Sequence, residues 1–247
     1  SREFGNYWSG TETYESLMTY IAMDFDGLRQ LIVDMLGNQR CSIDVESFQN
    51  DITSFKSADD VITLLIHMGY LAYDSKTKKV FIPNDEVRSV FLRAIRNDGW
   101  EEVIKAVDAS EALLKATLEM NEKAVAQMIQ EVHMQSSSSL IYNNEISLSS
   151  VIALAYYSAC RDYTLVRELP TGNGFADMVF LPKRTSLNPA LVVELKWDKT
   201  AEGAISQIKS KGYVSVLKEY KGNILLVGIN YEKKSRKHQC RIEKFEM

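Results

Sequence analysis

The last hundred residues predict an α/β sandwich of order α-β-β-β-α-β, behind a mostly helical region. Three observations lead there. Hydrophobic spacing over 145–157 and 201–217 is helical. Short runs at 163–168, 176–181 and 190–197 alternate or turn wholly apolar, as strands do. The run "NILLVGI", Asn223 to Ile229, is apolar in the manner of a strand buried on both faces. Two helices laid on a short mixed sheet make the sandwich. Gln239 to Phe245 alternates as a further edge strand.

From the N-terminus, residues 11–37 read as helical. Leu17, Ile21, Leu28, Leu31, Ile32 and Met35 keep the spacing, and Gly37-Asn38 stops it. Cys41 to Val45 is short and extended. Ser57-Ala58-Asp59-Asp60 starts a second helix that ends at Gly69. Tyr70 to Tyr73 and Lys79 to Ile82 are β-like around a polar turn. Pro83-Asn84-Asp85-Glu86 then opens a helix with proline and acids where a helix start prefers them. Helix, helix, hairpin, helix resembles a winged helix. The acidic surroundings and the lack of a basic helical face favour a packing role over DNA reading. Residues 100–134 hold two helices, divided near Asp108 or at Met120-Asn121, and "QSSSS" (135–139) reads as a loop. The expected domains are 1–96, helical and winged-helix-like, 97–139, a helical connector, and 140–247, the α/β domain.

Composition sets outer bounds. With 45% hydrophobic and 25% charged residues the chain reads as globular. No apolar stretch approaches the ~20 residues of a membrane helix, and no signal peptide opens it. Three widely spaced cysteines, Cys41, Cys160 and Cys240, argue for a reducing, cytoplasmic setting, and without a Cys-x-x-Cys pair a zinc site is not expected. Net charge is −4, unevenly spread. Residues 1–144 carry 13 Lys+Arg against 22 Asp+Glu, and residues 145–247 carry 16 against 11. A basic module behind an acidic one favours a polyanionic ligand for the second half, against the alternative of an ordinary solvated surface.

The chemistry concentrates in "GFADMVFLPKRTSLNPALVVELKWD" (174–198). In a strand, residues two apart share a face, so Glu194 and Lys196 project together while Val193 and Leu195 face the other way. A lone buried carboxylate is costly unless paired or metal-bound. If the second and third strands form a hairpin, Asp177 lies beside Glu194. Two carboxylates so close repel each other, and a divalent cation removes the conflict. Oxygen ligands suit Mg²⁺ or Mn²⁺. Lys196 beside such an ion can orient a water and steady charge on a phosphate. The expected reaction is hydrolysis of a phosphodiester.

Asp177 followed by Glu194-Leu195-Lys196 resembles the PD-(D/E)XK nuclease pattern, with Ala176 where many members have proline. The resemblance implies a restriction-endonuclease-like αβββαβ core, nuclease activity, Mg²⁺ held by Asp177, Glu194 and the Leu195 carbonyl, and Lys196 activating or positioning water. It also implies supporting roles for Gln207, on the helix after the third strand, and Glu145, in the first turn of the first helix. A Glu at a helix start is also stabilised by the dipole without any function. "YWSGTETY", "HMGYLAY", "IPNDEVRSVF", "GNGFADMVFLP", "LVVELKW" and "AISQIKSKGY" resemble bacterial AAA-ATPase-like proteins with a C-terminal nuclease domain. No G-x-x-x-x-G-K-[ST] occurs, so ATP hydrolysis by this chain is not expected, and an ATPase-like region is expected upstream. The implied partner is nucleic acid, with DNA favoured over RNA. A homodimer is compatible with folds of this size.

Two rival readings stand beside the nuclease: a catalytically inactive interaction module on the same fold, and a DNA-binding regulator using the winged-helix-like part. Lys209 and Lys211 read as phosphate-facing or solvated. Lys233 to His238 reads as a hairpin tip, either solvated or touching a phosphate backbone.

Overall fold

The computed structural model describes residues 12–23, 25, 27–45, 55–96, 100–136, 145–171, 174–184, 186–211, 217 and 223–245. The chain divides into two compact units, Ser1–Ile104 and Lys105–Met247.

In the first unit, α1 (Glu12–Ile21) and α2 (Leu28–Leu36) are separate helices. This corrects the single helical stretch expected over 11–37. Gly27, at φ 84°, takes the left-handed conformation that glycine tolerates, and the chain turns there. β1 (Cys41–Ser42), β2 (Ala72–Asp74) and β3 (Lys79–Phe81) form an antiparallel sheet in the order β1-β3-β2. α3 (Ala58–His67) starts with a capping box: the Ser57 hydroxyl accepts the Asp60 N–H, and the Asp60 carboxylate accepts the Ser57 N–H. α4 (Asp85–Arg96) follows, its start held by the Asn84 side chain accepting the Val87 N–H.

The second unit is α/β. α5 (Glu101–Leu118), whose first turn still belongs to the first unit, and α6 (Glu122–Ser136) are divided at Met120, which has φ 58°. α7 (Glu145–Ala155) and a 3-10 turn (Tyr157–Arg161) lead into the strands. These are β4 (Tyr163–Thr171), β5 (Gly174–Pro182) and β6 (Ala190–Trp197), then α8 (Ala201–Ser210), β7 (Ile224–Glu232) and β8 (Lys237–Lys244). The helix expected over 201–217 ends at Ser210, and residues 212–216 lie outside the described residues. The sheet order is β4-β5-β6-β7-β8, and only β6 and β7 run parallel. α8 is the crossover that a parallel pair requires.

One face of the sheet packs on α8. Val179, Val192, Leu226, Ile205 and Ile208 form its apolar cluster, all buried. Strand alternation therefore assigns Asp177, Glu194, Lys196, Gly228 and Asn230 to that same face, further along β6 and β7 toward their C-terminal ends. The opposite face takes Phe180, whose ring lies 5.3 Å from that of buried Tyr156 at the end of α7. The outer edge of β8 is covered by α6: Gln130 accepts the His238 N–H and Glu122 accepts the Ile242 N–H. Helical side chains thus occupy edge groups that would otherwise template foreign strands.

His133 of α6 and His238 of β8 are both buried, with Nδ1 of the first 3.2 Å from Nε2 of the second. Gln130 Oε1 can only accept, so His238 donates from Nδ1, accepts at Nε2, and His133 donates from Nδ1. Burial pushes their pKa values down to about 4 for His133 and about 3 for His238. In the unfolded chain both titrate near 6.5. Stability from the pair is therefore present above about pH 6.5 and lost as pH falls toward their folded values. The urea midpoint is expected to drop between pH 6.5 and 5, and His238→Gln to flatten that acid limb. An acid limb of unchanged slope in the variant contradicts this account.

Among the described residues no helix is long and apolar enough to cross a membrane. Among the described residues Cys41, Cys160 and Cys240 form no disulfide.

Candidate active site

The ladder between β5 and β6 ends at Met178↔Val193. One register step further, Asp177 stands opposite Glu194. There a side chain replaces the ladder: Asp177 Oδ2 accepts the Leu195 N–H at 2.7 Å. A strand residue sends its N–H and C=O to the same side. The Leu195 carbonyl therefore points toward β5, past the last paired rung and on the flank where Asp177 lies.

Glu194 is 1% exposed. Its two oxygens are treated differently. Oε1 accepts from Lys196 Nζ at 2.9 Å and from the Gln207 amide. Oε2 is buried and has no hydrogen-bond partner among the described residues. Burial, and secondly the charge of Asp177, raise the Glu194 pKa to about 7, with Lys196 and Lys211 offsetting part of the rise. An orphaned, buried carboxylate oxygen beside a second carboxylate is a destabilised arrangement that a cation would relieve. Two carboxylates and a strand carbonyl are hard oxygen donors, so the donor set fits Mg²⁺ or Mn²⁺. Among the described residues no three His, Cys, Asp or Glu side chains are grouped to hold a metal ion.

Residues 145–240 match the model of the PD-(D/E)XK nuclease superfamily. The matched stretch runs from the start of α7 into β8 and contains the whole cluster around Glu194. No curated protein and no solved structure matches the chain.

Gln207 reaches Glu194 because α8 lies close over β6 and β7. Gly228 pairs in register with Glu194, and a Cβ there would lie 2.4 Å from the Ala201 carbonyl oxygen and 3.0 Å from the Ala204 Cβ. Backbone cannot yield as a flexible side chain does, so Gly228→Ala is expected to cost about 3 kcal/mol, at the upper end for overpacking. It should also lift α8 and break the Gln207–Glu194 contact. Urea melts and the Gln207 amide NMR signals check this; an unchanged melt contradicts it.

The structure thus brings together Asp177, Glu194, Leu195, Lys196 and Gln207. Glu145 opens α7, but its side chain lies outside the described residues. Lys211 sits near enough to Glu194 to lower its pKa, whereas Lys209 is engaged with Glu243 at 2.6 Å.

Asn230 escapes sequence reasoning. It is fully buried, pairs in register with Lys196, and its Oδ1 accepts the Lys199 N–H at 3.0 Å, fixing the loop between β6 and α8. The available signal was an amide at the end of the apolar run "ILLVGIN". Beside Lys196 opens a cleft of about 520 Å³ lined by Lys196, Trp197, Lys199, Thr200, Gly203 and Gln207. Trp197 is backed by Tyr231, their rings 4.6 Å apart.

Proposed function

We propose that the chain is a metal-dependent nuclease that hydrolyses phosphodiester bonds of nucleic acid. DNA is favoured over RNA, by analogy with the superfamily alone. The observation that carries the reading is the asymmetry of Glu194: one oxygen saturated by Lys196 and Gln207, the other buried, orphaned and beside Asp177.

Asp177, Glu194 Oε2 and the Leu195 carbonyl would hold Mg²⁺ or Mn²⁺, which when bound supplies a Lewis acid for the phosphoryl oxygen and acidifies a water. Lys196 Nζ spends one of its three donors on Glu194 and has others for the attacking water and a phosphate oxygen. Gln207 holds Glu194 in its rotamer. Glu145 is proposed as a supporting acid on the resemblance alone.

The test is incubation of the purified chain with duplex and single-stranded DNA and RNA, with Mg²⁺ or with EDTA. Cleavage that needs Mg²⁺ and disappears in identically purified Lys196→Ala is expected. Cleavage that survives EDTA, or that both preparations show equally, contradicts the proposal.

We also propose, on motif likeness, that residues 1–96 are the winged-helix-like end of a bacterial ATPase-like region, joined by 97–139 to the nuclease domain, and that the protein works in the cytoplasm. The coding sequence upstream of Ser1 tests the first part: a phosphate-binding G-x-x-x-x-G-K-[ST] there is expected, and its absence removes the idea.

A further inference from the structure

We propose that the β7–β8 turn, residues 233–236, is a phosphate-backbone clamp that holds nucleic acid beside the cleft, without regard to sequence. The inference rests on the nuclease reading and adds the surface that grips the substrate.

β6 and β7 are parallel and in register to Trp197↔Tyr231, so they finish together. The turn that follows β7 therefore emerges beside the cleft at the end of β6. It is fastened there. Asp198 has φ 53°, its N–H donates to the Tyr231 carbonyl at 2.8 Å, and its Oδ1 accepts the Lys233 N–H at 2.6 Å. The hydroxyl of Ser235 closes the turn on Glu232. A turn tied to the catalytic strand at its first residue keeps its charges at a fixed place relative to Lys196.

Lys233, Lys234, Arg236 and Lys237 are exposed, as is Lys199 on the cleft wall. Among the described residues none of the five forms an ion pair with an acid. Several other cations of this unit are ion-paired instead: Lys209 with Glu243, Arg241 with Glu122 and Glu243, Arg161 with Glu111. Asp198 and Glu232, in the same stretch, accept hydrogen bonds from the turn and keep their charge, and the five cations outnumber them. Unpaired cations gathered at one rim of a cleft attract a polyanion, and release of its counterions makes binding salt-dependent. His238 is not part of this surface, contrary to the expected tip of 233–238. It is buried at the start of β8.

The test measures binding of fluorescent duplex and single-stranded oligonucleotides in EDTA across a salt series. The first variant is Lys233→Gln/Lys234→Gln/Arg236→Asn, with Asn at 236 because that residue has φ 56° and Asn tolerates it. The second is Lys199→Gln. A charge-matched control removes Lys115, Arg161 and Lys183; the last two lie by the ends of β4 and β5 remote from Asp177. The triple variant is expected to bind ~10–100-fold more weakly near 0.15 M salt, with a salt slope smaller by about 2–3, and Lys199→Gln to lower the slope by about 1. The control should bind as wild type does. Equal affinity and slope in the triple variant, or an equal loss in the control, overturns the proposal. Since the readout is binding, a chain that grips through the turn yet never cleaves keeps this inference and removes the nuclease reading. A chain that cleaves yet binds equally without the turn's charges does the reverse.

Discussion

Glu194→Gln is expected to stop cleavage and, in the same molecule, to make the protein more stable at pH 8. The two effects share one cause. Burial and the neighbouring Asp177 raise the Glu194 pKa from 4.5 to about 7. At about 1.4 kcal/mol per unit, keeping this carboxylate ionised costs roughly 3 kcal/mol. A carboxyl whose folded pKa lies above its unfolded value favours folding fully below the unfolded value, and that advantage is lost as pH rises through the folded one. Wild type therefore gives up stability between about pH 4.5 and 7, and the neutral amide does not. The variant should gain roughly 1–3 kcal/mol at pH 8 in EDTA, and the gain should vanish near pH 4. Cleavage should fall by at least about 10²-fold, because an amide is a poor partner for a divalent cation. Urea midpoints at the two pH values and a cleavage assay check both halves. A variant less stable than wild type at pH 8 means that Glu194 is an ordinary structural ion-pair partner of Lys196. Stability sacrificed at one position for chemistry is common at active sites.

Lys196→Ala is expected to lower the cleavage rate about 10²–10⁴-fold, the range for losing a group that handles a proton or steadies charge in the transition state. It has a second consequence that a merely structural lysine would not produce. Lys196 Nζ, 2.9 Å from Glu194 Oε1, holds the Glu194 pKa down by hydrogen bond and by charge. Without it that pKa rises above about 7, and the proton must be displaced before any cation can bind. Wild-type rate should climb with pH and level off above about 7, whereas the residual rate of the variant should level off at clearly higher pH. Rates from pH 6 to 9.5 decide this. A variant with a uniformly lower rate and an unmoved profile contradicts the coupling between the two side chains.

Much of this site was legible because its logic is local. Glu194 and Lys196 are two residues apart in one strand, so alternation alone puts them on one face. Asp177 follows a glycine-rich stretch of sequence and needs only a hairpin partner, and Gln207 lies on α8, the helix that follows β6. What stayed hidden depends on pairings across the sheet. Asn230 meets Lys196 through a parallel register that spans 34 positions of sequence, and nothing in its neighbourhood marks it except an amide after apolar residues. Asp198 reads as a loop acid until its carboxylate is seen holding the Lys233 N–H. His133 and His238 are 105 residues apart, and each looks like a lone polar side chain until α6 lies along β8. The break at Gly27 failed for a different reason: apolar spacing continues on both sides of it, and periodicity does not register a change of axis.

The most direct test of the central claim, that Asp177 and Glu194 share one divalent cation, is a calorimetric titration of the whole protein with Mn²⁺ at pH 8. The account predicts one ion bound per chain by wild type and no measurable binding by Asp177→Asn or Glu194→Gln, both folded by urea melt. Wild-type affinity retained in either variant would contradict it.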